Sequence, residues 1–70
     1  MKIYPEFDSE SAAYVLMCDD GRMRPMPAGP RLFRAAPHPE VAFTHETLEA
    51  AQADCAKLRS YFAWLKTRKK

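Results

Sequence analysis

Four side chains in the 70 residues belong to types that ligate a soft metal: Cys18, Cys55, His38 and His45. Zinc fingers and ribbons place their ligands in close pairs a few residues apart, and none of these four has such a neighbour. No metal and no cofactor are therefore expected. Ser9, Ser11 and Ser60 have no His and acid in a recognisable relay arrangement, and turn chemistry accounts for Asp19-Asp20. The chain is expected not to be an enzyme, with no catalytic, cofactor-binding or metal-binding residue.

Two other groups have binding chemistry. Arg22, Arg24, Arg31 and Arg34 fall within thirteen positions, and guanidinium groups grip carboxylates or phosphates through paired N–H donors. They are the residues expected to contact an acidic partner or nucleic acid. Tyr61, Trp64 and Lys57 form a second set near the C-terminus, because Trp and Tyr are enriched where protein partners anchor. These three are the expected protein-partner interface.

Charge is arranged in blocks. Residues 1–20 sum to −4, residues 21–34 to +4, residues 35–54 to −4 and residues 55–70 to +6, giving the net +2. Such blocks steer partners, but the small total is unlike the strongly basic balance of most nucleic-acid-binding domains. Cys18 and Cys55 lie 37 positions apart in apolar runs, with no CxxC pair. They read as small hydrophobic residues of a reducing compartment. No apolar stretch approaches the roughly 20 residues of a membrane span, and the acids at positions 6, 8 and 10 exclude a secretory leader. A cytoplasmic protein without a membrane partner is expected.

The elements that must position these residues are α+β: an antiparallel sheet of three to four short strands packed against one long C-terminal helix. All 70 residues form a single domain, with strands and turns over about 2–43, helix over about 45–66 and a basic tail at 67–70. All six prolines and both glycines precede residue 44. Pro5 confines residues 2–7 to an edge strand or an arm. Residues 12–18 are apolar on both alternating faces, as a central strand is, so the helix covers one face while the N-terminal arm or a second copy of the chain covers the other. Asp19-Asp20-Gly21 predicts a tight hairpin with its return strand beginning at Arg22, and residues 31–36 form the next strand. Thr44 is the expected N-cap, with His45 the first helical residue, Glu46 in the first turn and Phe43 and Leu48 as a hydrophobic staple. Leu48, Ala51, Cys55, Leu58, Phe62 and Leu65 share one helix face and form the expected core side. Trp64 lies outside that arc, with Tyr61 between the two.

The order Tyr14-Val15, Asp20-Gly21-Arg22, Phe43-Thr44 and Leu48 to Leu58 resembles the arm-type DNA-binding domains of tyrosine recombinases over about residues 12–65. In that family the sheet enters the major groove and the helix backs it, which implies DNA contacts at Arg22, Arg24, Arg31 and Arg34. The chain departs from the pattern at Arg24-Pro25-Met26-Pro27. The reading placed first is a small non-catalytic accessory protein that binds a protein partner, with homodimerisation as one form of it. Its size class is that of phage- or mobile-element-encoded inhibitors of host or defence proteins. The alternative is a nucleic-acid-binding module that uses the Arg-rich hairpin.

Thiol titration of freshly prepared protein under denaturing, non-reducing conditions is expected to report both cysteines. A disulfide between Cys18 and Cys55 would overturn the compartment assignment.

Overall fold

The computed structural model describes residues 2–33 and 38–68. The chain order is β1 (Lys2–Asp8), β2 (Ala13–Asp19), β3 (Met26–Pro27), a single 3-10 turn (Pro30–Leu32), β4 (Thr44–His45) and α1 (Leu48–Arg68). The arrangement is α+β, with a four-stranded antiparallel sheet against one C-terminal helix. β2 is the centre: β1 lies along one side, while β3 and β4 share the other.

The β1–β2 hairpin pairs Lys2 with Asp19 through Asp8 with Ala13. Its turn, residues 9–12, is built by Asp8, whose carboxylate accepts the Glu10 N–H at 3.2 Å and the Ser11 hydroxyl at 2.8 Å. Ala12 closes it with φ +54, a left-handed conformation for a residue with a Cβ. Cross-strand partners share a face. Ile3, Cys18 and Leu16 accordingly point to the helix and join Ala28, Ala51, Cys55 and Leu58 in the core cluster. Tyr4, Ala13, Val15 and Met17 occupy the opposite face and are half-buried. The N-terminal segment pairs as an edge strand rather than folding over that face.

The Leu16 backbone fixes the sheet's connectivity. Its N–H donates to Phe43 O at 3.0 Å and its carbonyl accepts from Ala28 N–H at 2.8 Å, so both groups point away from β1. The Pro5–Leu16 pair is therefore a non-hydrogen-bonded one, and the Pro5 nitrogen faces outward, where its missing N–H costs nothing. Two residues back, the outward Ile3 carbonyl accepts from Arg59 Nη2 of α1 at 2.6 Å.

Several expectations are corrected. The Asp19-Asp20-Gly21 segment is no two-residue hairpin: the return strand begins at Met26, because the carboxylates of Asp19 and Asp20 fold the loop on itself. Asp19 accepts the Gly21 N–H at 2.8 Å, and Asp20 accepts those of Arg22 and Met23 at 2.9 and 3.2 Å. Residues 30–32 form a 3-10 turn rather than the start of a strand, since Pro30 supplies the turn's φ and Phe33 N–H bonds Pro30 O at 3.1 Å. Residues 34–36 of that expected strand lie outside the described residues, as do Arg34 and the tail residues Lys69 and Lys70.

The helix begins three residues later than expected. Thr44 and His45 are consumed by pairing with Val15 and Tyr14, and the cap passes to Thr47, whose hydroxyl accepts the Ala50 N–H at 3.3 Å. Glu49, not Glu46, stands in the first turn. With Thr47 as cap, Phe43 and Leu48 no longer hold staple positions. Leu48 is 42% exposed. The buried stripe is Ala51, Asp54, Cys55, Leu58 and Tyr61, turned by about 30° from the expected arc. Phe62 and Leu65 stand at its half-buried margin. The turn brings Tyr61 into the core side, where Phe33 meets it edge-on at 5.3 Å.

Both cysteines are free and buried, and burial pushes both thiols up. Leu58→Ala is expected to cost about 2–5 kcal/mol, read from the urea midpoint, because Leu58 is fully enclosed. Phe62→Ala is expected to cost less than Leu58→Ala. The reverse order would show that the helix is rotated back toward the arc Leu48–Leu65.

Candidate functional site

The connector from residue 38 to Phe43 has no ladder of its own, so its backbone groups need side-chain partners. Asp54, one of the buried stripe, supplies the main one. Its Oδ2 accepts the Ala42 N–H at 2.9 Å and lies 2.9 Å from His45 Nε2, while its Oδ1 is 3.4 Å from Lys57 Nζ. His45 Nε2 is also 2.9 Å from Ala42 O. Both of its neighbours are acceptors, so the hydrogen sits on Nε2 and is shared between them. Burial raises the Asp54 pKa, but the Ala42 N–H, the Lys57 ammonium and His45 outweigh it and hold the carboxyl below its ordinary value. The carboxylate clasps the connector to α1.

An aromatic cluster extends from this clasp. The His38 ring stacks on Phe33 at 4.6 Å with the planes 12° apart. Phe33 in turn meets Phe43 at 6.1 Å and Tyr61 at 5.3 Å, and Tyr61 lies 6.0 Å from Trp64. Between His38-Pro39 on one wall and the helix on the other runs a groove of 560 Å³, lined there by Ala56, Lys57, Ser60, Tyr61 and Trp64. Lys57, Tyr61 and Trp64 are one helical stripe, spaced four and three residues apart.

The three residues expected at a protein interface thus come together in one groove, with different characters. Trp64 is 37% exposed. Lys57 is exposed and tied to Asp54 on one side. Tyr61, expected on the outer surface as an anchor, is instead 5% exposed: it packs against Phe33 and Phe62. The arginines are elsewhere. Arg22 and Arg24 project from the loop joining β2 to β3, Arg31 from the 3-10 turn, and all three are exposed and line no part of the groove. Between the two loop arginines Met23 is 66% exposed.

Among the described residues, no three His, Cys, Asp or Glu side chains come close enough to hold a metal ion. His38, Pro39 and Asp54 were not among the expected site residues. An acid on the apolar stripe between Ala51 and Leu58 is the one sequence signal for the clasp. Nothing local marks the stacking of His38 on Phe33. No family model, curated protein or solved structure matches the chain.

Asp54→Asn is expected to lower stability at pH 7 by about 1–3 kcal/mol, since it removes the charge-assisted bonds that hold the connector. The pH dependence carries a defined sign. Because the folded pKa is depressed, the Asp54 contribution is complete above the unfolded value of about 3.9 and is lost as pH falls through the folded value. Urea midpoints of wild type and Asp54→Asn, compared at neutral and strongly acidic pH, are expected to converge in acid. A gap that persists would assign the clasp's strength to packing instead.

Proposed function

We propose that the chain is a small non-catalytic accessory protein that binds a protein partner and acts by occupying or bridging a surface, in the manner of a phage- or mobile-element-encoded inhibitor of a host or defence protein. The observation that carries the reading is the meeting of Lys57, Tyr61 and Trp64 with His38 and Pro39 in one open groove. A partly exposed Trp beside a buried aromatic floor, rimmed by a cation, is the composition of an interface anchor. A second copy of the chain is one partner this reading admits. The sheet face carrying Tyr4, Val15 and Met17 lies opposite the helix, and such a face gains from cover. No helix among the described residues is long and apolar enough to cross a membrane.

A second reading, nucleic-acid binding, draws on the loop after β2. The carboxylates of Asp19 and Asp20 brace it, and it presents Arg22 and Arg24 outward around Met23. Exposed guanidinium groups on a braced loop suit phosphate contacts.

Salt separates the two. Phosphate contacts release counterions, so affinity falls steeply with ionic strength, whereas an aromatic anchor is nearly indifferent. For a partner recovered from the native host, Trp64→Ala is expected to weaken binding at least tenfold with an unchanged melting temperature, and the Arg22→Gln, Arg24→Gln double variant to leave it within about twofold. A steep salt slope together with the opposite mutational pattern would replace the protein-partner reading with the nucleic-acid one. Light scattering tests the second copy: a strict monomer at high micromolar concentration removes the homodimer.

A further inference from the structure

We infer that the groove between α1 and the 38–39 connector takes an extended acidic segment, with an apolar side chain beside Trp64 and a carboxylate at Lys57. The inference rests on the protein-partner reading and adds the partner's chemistry.

Charge comes first. None of the seven described residues lining the groove is acidic, no acid follows Asp54 in the chain, and Lys57 is the cation on that lining. The Lys57 ammonium has three N–H donors and its side chain is 55% exposed, so the contact with Asp54 leaves donors for an incoming carboxylate. Asp54 itself is buried behind Lys57 and its oxygens are spent on Ala42, His45 and Lys57, so it opposes an incoming anion less than a free carboxylate would.

Shape fixes the spacing. Ser60, between Lys57 and Trp64, and Ala56, just before Lys57, are small, which lets a backbone approach the helix there. Lys57 and Trp64 are seven residues apart, about 10 Å along the helix axis, which an extended chain spans in about three residues. The occupant is thus an acid and an apolar residue three positions apart in polyproline-II conformation, whose three-residue turn sets both on one face, wedged against the rigid Pro39 and stacked His38 wall.

The test pans a displayed library of random twelve-residue peptides on the full-length protein, with Trp64→Ala protein as counter-selection. Fluorescence anisotropy then measures one selected peptide, its Asp/Glu→Asn/Gln analogue and Lys57→Gln protein. The expected pool is net negative and enriched in an acid three positions from an apolar residue. Amidation of the acids and Lys57→Gln should each weaken binding about tenfold. A Trp64-dependent pool that is neutral or basic, or affinity unmoved by amidation, overturns the acidic occupant and leaves the groove reading standing. If panning enriches no peptide that distinguishes wild type from Trp64→Ala, both fail.

Discussion

Leu16 is the point on which the sheet depends. One residue of the central strand has its side chain fully enclosed in the core, while its N–H reaches Phe43 and its carbonyl receives Ala28. Those two bonds bring the loop leaving β3 and the connector entering β4 to the same edge of β2. Two-residue strands cannot hold a register by themselves, since each contributes too few ladder bonds to offset the entropy of ordering its loop. Anchored at Leu16, and backed by Ala28 in the core, they need no greater length. The chain thereby obtains a four-stranded sheet from only one long hairpin.

The connector then depends on the helix. Pro39 fixes its stiffness, but no strand pairs with residues 38–43 as a run, so their path follows from side chains. The Asp54 carboxylate holds Ala42 from the helix side, His45 ties the same carboxylate to the end of β4, and Phe33 and Phe43 fill the space between. The groove is a by-product of this clasp: where the connector is pulled down at Ala42 and propped up at His38 by the Phe33 ring, a gap opens against Lys57, Ser60 and Trp64. Site and stability share their supports.

The sequence's large-scale pattern was legible. A proline-rich first half with alternating apolar runs and a 3.6-residue stripe in the last third define strands followed by one helix, and they define it well enough to place Trp64 off the core. What escaped was set by tertiary competition. Thr44 and Thr47 are both sound N-caps, and only the pairing of Thr44 with Val15 decides between them. The Asp-Gly pair signals a hairpin, yet two adjacent aspartates can also bond their own following amides, and here they do. The rotation of the helix depends on Phe33 and the connector reaching Tyr61, a contact between residues 28 positions apart that periodicity does not encode. The groove partner His38 was invisible for the same reason. The β1–β2 hairpin was missed because its turn residues, Ser9-Glu10-Ser11-Ala12, contain neither Gly nor Asn, and Ala12 accepts a left-handed φ that its type rarely shows.

The outer edge of β1 has a consequence for how the molecule meets its own kind. An open strand edge invites a neighbour's strand to add on, and repeated addition is how soluble sheets convert to fibrils. Here Pro5 removes the donor at the middle of that edge, and Arg59 occupies the acceptor of Ile3 from the helix side. A docking strand would find one bond absent and the next already taken, within the same short stretch of a seven-residue strand. Along β1, backbone templating between crowded molecules is thus hindered. A guanidinium on the helix and an imino acid in the strand together blunt the β1 edge of a small, partly uncovered sheet.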